Sequence, residues 1–495
     1  DMFRDVHEGR SKAIWIMATN PAVSMPDADY VREALENCDF VVVSDVIAET
    51  DTIAFAHVKL PALAWGEKDG TVTNSERVIS RQRPLFDPPG EAKADWWIVQ
   101  QVAHRMGHIN AFSFENAAAI FREYAAQTGY RNEGKRKLDL SEWAGTSDAE
   151  YDAWMPKPWG DASPFADRKF TTPDGKARLV SVAPPAVRAD DPDFPLTLNT
   201  GRYRDQWHSM TRTGLSPRLS QHRREPLVEI HSHDAFARGL EENGLAKIIT
   251  PQGVSIFRIR ITDAQRQGEI FAPMHWTDQM GNGGRANRLP DQTVDPVSGQ
   301  PAFKNSPCNV AAVKPEWRAF LVCTNRPALP PVLYWTSARI AGGWLVELAG
   351  EGNIDLDNLL PAGERMEAVD LQRGMRRIAV REPEGRLAAA LYLTRQGDLP
   401  RRDWIAAQLV DDDQADAVSL LAARPKVDGP DKGPTVCVCF NVGAKQIASA
   451  ITRQSLTSVE EVGSALNAGT NCGSCRLDIT KLLAEMRVPD LEAAE

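Results

Sequence analysis

The sequence predicts a multidomain chain of mixed class: an α/β region, then a β-barrel, then a small α+β domain and a small helical domain at the C-terminal end. Three observations carry this expectation. Short apolar strands alternate with helical stretches through the first 110 residues, strand-dominated segments fill 196–313, and two cysteine pairs flank helical sequence in the last 60 residues. A chain of 495 residues has room for roughly three or four domains.

The opening stretch DMFRDVHEGRSKAIWIMATNP has no initiator Met and reads as a helix tail before a buried strand. We therefore expect the chain to be the C-terminal part of something longer. Residues 13–18 and 40–44 are short β-branched or apolar runs, and 29–37 has helical spacing between them. Strand, helix, strand is a βαβ unit, which requires a parallel sheet. The strands run into the polar loops Thr19-Asn20-Pro21 and Ser44-Asp45. Ligands of open α/β sheets lie at this carboxyl edge, where Asp45 has the chemistry to accept from the amino face of a purine. Asn20-Pro21 is equally a plain turn signal.

Residues 111–195 are mixed, and AWMPKPWGDASPF suggests irregular connections. The run PLTLNTGR, PLVEIHSHDA, LAKIITPQGVSIFRIRIT and GEIFAPMHW then predicts a compact barrel. Further strands are expected at 376–380 and 388–393, with a helix at 403–409. Asp411-Asp412-Asp413 reads as a solvated turn, and RPKVDGPDKGP, with three Pro and two Gly, reads as a linker. The expected division is 1–190 for the α/β domain and its connection, 191–317 for the barrel and 318–423 for the α+β domain. The linker is 424–434 and the helical domain 435–495.

A net charge of -10 excludes the basic surface of a nucleic-acid binder. No apolar run approaches the ~20 residues that span a bilayer. We expect neither nucleic acid nor membrane as a partner. Seven cysteines without a secretory signal point to a reducing compartment and a cytoplasmic location. Cys38, Cys308 and Cys323 are scattered through apolar or mixed sequence and read as small core residues.

Between Arg202 and Arg224 stand six Arg and two His against one acid, Asp205. Arginine forks suit dinucleotide phosphates or a small oxyanion; a solvated basic loop would look the same. Two motifs carry less weight. Gly281–Ala286 fits G-x-G-x-x-A but follows no strand, so it reads as a loop. His231-Ser-His233 falls where a strand meets a helix start and reads as a polar turn rather than a metal site.

The last cysteines are spaced C-x-C (Cys437, Cys439), 32 residues, then C-x-x-C (Cys472, Cys475). Four thiolates so arranged suit the two irons of a [2Fe–2S] cluster or one structural zinc, and spacing alone leaves both open. Ser458 and Glu461 have capping-box spacing, with Val459, Val462 and Leu466 on one face. Asn467-Ala468-Gly469 gives a helix stop. Cys472 and Cys475 precede a second amphipathic stretch with Leu477, Leu482 and Leu483 as apolar positions, so the thiolates lie near a helix N-terminus that favours negative charge.

TVCVCFNVGAKQIASAI and SVEEVGSALNAGTNCGSCRLDITKLL resemble the bacterioferritin-associated ferredoxin-like [2Fe–2S] domain, which makes the cluster the preferred reading. WIMATNPAVSMPD, the segment from VVVSDVIAETD to NSERVISRQR, LNTGRYRDQWHSMTRTG, EIHSHDAFARG and NRLPDQTVDPVSGQPAFKNSP resemble the molybdopterin oxidoreductases over about residues 1–315. That resemblance implies molybdenum held by two pyranopterin guanine dinucleotides. It assigns Thr200, Gly201, Arg202, Trp207, His208, Thr211, Asn287, Phe303 and Lys304 to one pterin cofactor. Asn20, Ser44, Asp45 and Thr50 become guanosine contacts, and Glu67, Asn74, Glu76 and Arg77 mark a second family signature. Residues 318–423 look like the small domain preceding such a cluster in nitrite and nitrate reductases.

The whole combination resembles bacterial assimilatory nitrate reductases. It implies two-electron reduction of nitrate, with electrons from a flavoprotein or an NAD(P)H-dependent donor subunit entering at the [2Fe–2S] cluster. The family's [4Fe–4S] motif and its molybdenum-ligating cysteine match nothing in this sequence and are expected in a preceding segment, so no catalytic residue is assigned. A formate dehydrogenase of the same superfamily and a non-catalytic [2Fe–2S] electron-transfer protein are the alternatives.

Overall fold

The computed structural model describes residues 2–160, 165–170, 172–181, 191–411, 415–426 and 431–486. Contacts divide the chain into two compact units. One comprises Asp1–Thr19, Asn37–Glu49 and Ile53–Ala189; the other comprises Asn20–Glu36, Thr50–Thr52 and Asp190–Glu495. The chain opens with α1 (Met2–His7), β1 (Ala13–Met17), α2 (Pro21–Ser24), α3 (Ala28–Glu36), β2 (Phe40–Asp45) and β3 (Val58–Pro61). Both α2 and α3 belong to the second unit, although sequence order groups them with the first strands.

Within the first unit, β1 pairs parallel with β2 from Ala13↔Phe40 to Met17↔Ser44, and β2 pairs parallel with β3. Ile14, Ile16, Val41 and Val43 are buried, the alternation a pleated strand imposes. Ser44 and Asp45 end β2 at its carboxyl edge. Beyond lie a small antiparallel sheet of β4 (Gly70–Thr73), β5 (Val78–Gln82) and β6 (Lys157–Pro158), and the helices α4 (Asp95–Arg105), α5 (Ala117–Gly129) and α6 (Asp148–Asp152).

The irregular connection expected over 111–195 is in part a packed core. Helix α5 runs 13 residues, and the Asn116 side chain caps it by accepting from the Ala119 N–H at 2.9 Å. Phe121 meets the edge of Trp154 at 5.2 Å, and the Trp154 indole donates to the Ile79 carbonyl at 3.1 Å. The aromatic residues that suggested loops fill this core because ring burial outweighs the local turn signals around them.

In the second unit, β7 (Leu196–Gly201), β8 (Leu227–Ile230), β9 (Leu245–Ile249), β10 (Val254–Ile261), β11 (Glu269–Pro273) and β12 (Ser306–Val313) close a six-stranded barrel in the order β10-β8-β11-β7-β12-β9. Its interior is Leu196, Leu198, Val228, Ile230, Ile248, Phe257, Ile259, Ile270, Cys308 and Val310, each such aliphatic or aromatic side chain worth roughly 1.5–3 kcal/mol on burial. Strand β7 pairs parallel with β11 and antiparallel with β12. The ends of β7 and β11 and the start of β12 therefore share one rim. His231 caps α7 (Ser232–Ala237), its Nδ1 accepting from the His233 N–H at 3.1 Å. The pair thus forms the strand-to-helix turn the sequence suggests. Gly281–Arg285 is a loop leading to a short 3-10 turn.

The following sheet is fully antiparallel. Its strands are β13 (Trp317–Cys323), β14 (Tyr334–Ile340), β15 (Gly343–Gly350), β16 (Glu364–Asp370), β17 (Met375–Arg381) and β18 (Leu387–Thr394), in the order β14-β15-β13-β18-β17-β16. The central β13 is buried on both faces, which is why it reads as a continuous apolar run. Ala319, Leu321 and Cys323 face one core, and Phe320 and Val322 face the other. The second core is covered by α8 (Arg402–Ala407) and α9 (Ala417–Ala422). Cys38, Cys308 and Cys323 are all buried. Of the expected acidic turn and linker, residues 412–414 and 427–430 lie outside the described residues.

The C-terminal module holds β19 (Thr435–Cys437), β20 (Val442–Gly443), α10 (Ala444–Gln454), α11 (Val459–Leu466) and α12 (Arg476–Glu485). Its core gathers Cys437, Val442, Ile447, Val462, Cys475, Ile479 and Leu483. The Ser458–Glu461 capping box is formed: Ser458 Oγ accepts from the Glu461 N–H, and Glu461 Oε2 accepts from the Ser458 N–H, each at 3.2 Å. Asn467 ends α11 at φ 58°. The α12 expectation needs a correction, because Leu477 is exposed and Ile479 takes its place in the core. At 3.6 residues per turn, 479 and 483 share a face that 477 does not. Among the described residues, no helix is long and apolar enough to cross a membrane.

Replacing Ser458 by Ala removes one half of the capping box. It should destabilise this module by about 1 kcal/mol, read as a lower denaturation midpoint of the full chain's C-terminal transition; an unchanged midpoint would refute the cap's role.

Candidate functional site

Two sites stand in the second unit: the barrel rim and the thiol module. The rim is set by main-chain pairing. Thr200 and Gly201 end β7 opposite Ala272 and Pro273, and the Met274 N–H donates to the Gly201 carbonyl at 2.8 Å. Thr200 Oγ1 donates to the Phe303 carbonyl at 2.8 Å, which draws the approach to β12 against β7. Gly201 is required by space: a Cβ there would lie 2.8 Å from the Phe271 ring, closer than carbon atoms tolerate. The ammonium of Lys304 lies 3.7 Å from that same point. Thr200, Gly201, Phe303 and Lys304 are therefore brought together.

Beyond the rim the chain turns through His208, Ser209 and Met210, all with positive φ (50°, 46° and 55°). Each such non-glycine residue costs ~1–3 kcal/mol and persists only where its surroundings hold it. The holds are specific. The Ser209 N–H donates to His275 Nδ1 at 3.3 Å, the Asn20 amide donates to Ser209 Oγ at 3.0 Å, and Thr211 Oγ1 donates to the His208 carbonyl at 3.0 Å. The Asn20 carboxamide oxygen in turn accepts from the Thr52 N–H and hydroxyl at 3.1 and 2.6 Å. Asn20 is thus largely committed to the protein and acts as a brace. Thr50, two residues before Thr52, is buried.

Arg202, Trp207, His208 and His275 line a cavity of about 420 Å³, and the Arg202 guanidinium lies 6.0 Å from the Trp207 ring centre. Burial, followed by the nearby His208 and Arg202, pushes the His275 pKa down to about 4. A neutral ring whose Nδ1 accepts carries its proton on Nε2, so the cavity offers one fixed cation and one neutral donor. Asn287 is buried. Its amide donates to the Val23 carbonyl at 2.7 Å, while its carboxamide oxygen is buried without a hydrogen-bond partner. An orphaned acceptor of this kind has capacity for a donor from a bound group, which fits a pterin dinucleotide.

The sequence missed His275 and Ser209. His275 follows β11 in what reads as strand sequence, and its partner is 66 residues away, so no local signal marks it. The basic segment is not simply a solvated loop. Arg204 and Arg224 are paired with Asp478 at 2.6 Å and Asp403 at 3.0 Å, and Thr213, Gly214 and Ser220 are buried.

Within the first unit, Ser44 Oγ accepts from the Trp15 indole at 2.9 Å. Asp45 Oδ1 accepts from the Val46 and Ile47 N–H groups at 2.6 and 3.2 Å, closing an Asx turn at the carboxyl edge. Asn74 organises the β4–β5 turn by accepting from the Glu76 and Val78 N–H groups, with Arg77 at φ 63°. Glu67 accepts from the Ala64 N–H at 2.7 Å. These signature residues shape backbone.

In the thiol module, Cys439 Sγ stands 3.4 Å from Cys472 Sγ, and Cys437 lies against Cys475. Each contact joins one cysteine of the C-x-C segment to one of the C-x-x-C segment. Ser474 favours the Cys472 thiolate through its hydroxyl and N–H. Burial, and then the Cys437 thiol, push Cys475 up to about 11. Among the described residues, no group of three or more His, Cys, Asp or Glu side chains is gathered as for one ion.

Three family models match parts of the chain. Residues 1–105 match the model for molybdopterin oxidoreductase. Residues 196–307 match the molydopterin dinucleotide binding domain, and residues 435–485 match the BFD-like [2Fe-2S] binding domain. The chain is 41% identical over 494 residues to a nitrate reductase of Klebsiella oxytoca, covering 98% of this chain and 57% of that protein. A nitrate reductase of Shewanella frigidimarina is 39% identical over 63% of this chain and 37% of its own length. An F420-dependent formate dehydrogenase 1 subunit alpha of Methanococcus maripaludis is 34% identical over 59% and 42%. The chain thus spans about half the length, or less, of these relatives.

The His275 environment has a pH signature. Its native imidazole stays neutral down to about pH 4, whereas an unfolded one protonates below 6.5. The stability it contributes is complete above pH 6.5 and lost as pH falls toward 4. His275→Asn keeps an acceptor for Ser209 without titrating, so its urea midpoint should fall less steeply than wild type across that window. Identical slopes would overturn the assignment.

Proposed function

We propose that the chain belongs to the molybdopterin oxidoreductase family and that the full protein is an assimilatory nitrate reductase whose electrons enter through the C-terminal cluster. One observation carries the reading: similarity to the Klebsiella nitrate reductase runs through 98% of the chain, thiol module included. The formate dehydrogenase relative aligns over 59% of it. The reaction is reduction of nitrate by two electrons and two protons to nitrite and water. When bound, the bis(pyranopterin guanine dinucleotide) molybdenum supplies oxygen-atom transfer and the [2Fe–2S] cluster supplies one-electron storage.

The chain's own residues hold and orient these groups. Thr200, Gly201, Asn287, Phe303 and Lys304 form the proposed pterin cradle at the barrel rim. Arg202, Trp207, His208 and Thr211 extend it along the strained turn. The Arg202 guanidinium suits a phosphate or another anion, and the neutral His275 adds a donor without adding charge. Asn20 and Thr50 in the second unit, and Ser44 and Asp45 in the first, are the proposed guanosine contacts. Cys437, Cys439, Cys472 and Cys475 are the proposed iron ligands. The proposed division into domains is 1–190, 191–317, 318–423 and 435–495, with 424–434 as linker. The proposed donor is a flavoprotein or NAD(P)H-dependent subunit, and the proposed location is the cytoplasm, where free thiols persist.

The full-length protein should contain molybdenum and reduce nitrate with reduced viologen. Formate oxidation without nitrate reduction would replace this reading. Reduced protein should give a [2Fe–2S] electron paramagnetic resonance signal that Cys437→Ser and Cys475→Ser each abolish. Zinc without iron at these four cysteines would sink the cluster assignment.

A further inference from the structure

Arg204 leaves the barrel rim three residues after Gly201, and its side chain is only 16% exposed. Its guanidinium is fully directed. Nη1 donates to Asp478 Oδ2 at 2.6 Å, Nη2 donates to the Val436 carbonyl at 3.0 Å, and Nε donates to Asp205 Oδ2 at 3.0 Å. Val436 immediately precedes Cys437, and Asp478 lies in the first turn of α12, three residues after Cys475. One side chain of the rim therefore grips both segments that carry the buried thiol pair.

The far side of this contact is braced as well. The Asp205 carboxylate also meets His222 Nδ1 at 3.2 Å. Burial works against its ionisation, but the His222 hydrogen bond and the Arg204 charge together hold its pKa below the usual range. An isolated surface ion pair is worth ~0–1 kcal/mol. Here the guanidinium is mostly buried although Asp478 is 41% exposed, every edge of the guanidinium is engaged, and one partner is a main-chain carbonyl. That arrangement fixes direction as well as distance.

We propose that Arg204 is a positioning residue that docks the iron–sulfur module on the rim of the dinucleotide barrel and makes its cluster easier to reduce. The inference rests on the cluster reading above. Reduction adds one electron to the cluster from an external reductant, with no bond made or broken, so negative charge beside the thiolates grows by one unit. A fixed cation favours that state, and charge near a cluster is a principal determinant of its potential. Without Arg204, Asp205 and Asp478 lose the cation they share beside the cysteine segments. The same grip places the electron inlet beside the segment proposed to hold a pterin.

The test uses the full-length protein in wild-type form and as Arg204→Gln, Arg204→Lys and Asp478→Asn. Iron content and the resonance signal report whether the cluster is present. A dithionite titration with mediators reports its midpoint potential, and hydrogen exchange of α12 amides reports docking. Arg204→Gln should keep its iron, shift the midpoint to lower potential and speed α12 exchange. Arg204→Lys should recover the potential in part, because it restores charge without the three-way grip. Asp478→Asn should raise the potential while loosening α12. An iron-complete Arg204→Gln protein with wild-type potential and exchange overturns the proposal. Should Arg204→Gln lose its iron, wild-type exchange in Asp478→Asn overturns it instead. Absence of iron from the wild-type protein refutes the cluster reading itself, a separate outcome.

Discussion

The parallel pairing of β7 with β11 is the constraint on which the rim depends. It sets Thr200 beside Ala272 and Gly201 beside Pro273, so two segments about seventy residues apart in sequence leave the barrel at the same end. Antiparallel pairing of β12 with β7 brings Phe303 and Lys304 to that end from a third direction. Closure leaves no free strand edge and fixes register around the ring. The strained turn at His208–Met210 can then be held from two sides, by His275 after β11 and by Asn20 after the first strand of the chain. Loops carry the chemistry, and a closed sheet makes their positions reproducible.

Charge joins the barrel to the units that follow it. Glu225, Arg258 and Tyr334 meet through bonds of 2.8 and 2.9 Å, and Arg402 grips Glu347 with two bonds. Burial pushes the Glu225 carboxyl up, while Arg258 acts to keep it ionised. Such buried pairs specify orientation better than they add stability, since the cost of removing both charges from water nearly offsets their attraction. Apolar contact supplies the adhesion, with Leu245 and Val313 of the barrel packed against Tyr334 and Ala349 of the sheet. Arg204 repeats the device toward the thiol module. The basic segment after β7 thus commits part of its charge to neighbouring elements, an allocation a count of arginines does not reveal.

Local signals suffice where one element decides its own structure. The parallel strands, the capping box at Ser458 and the stop at Asn467 follow from periodicity and cap chemistry, which act within a few residues. Apolar character alone places Leu477 in the core, but on a short helix it leaves the phase open, and the packing of Ile479 and Leu483 decides it. The stretch before Leu196 likewise resembles a connection, because aromatic and proline-rich sequence looks like a loop until Phe121 and Trp154 are brought together.

By itself the sequence determined the class of each region and the four thiols with their spacing. By resemblance it also suggested a family and singled out Thr200, Gly201, Phe303 and Lys304, which the fold brings together at the rim. Tertiary structure decided what each of those residues is free to do. Asn20 spends most of its hydrogen-bonding capacity as a brace, Asn287 retains an orphaned acceptor, Arg204 reaches another module, and His275 becomes a neutral donor. The physical reason is the same in each case. Residue type and short-range periodicity are properties of neighbours along the chain, whereas burial, partner geometry and protonation depend on groups that meet only after the barrel has closed.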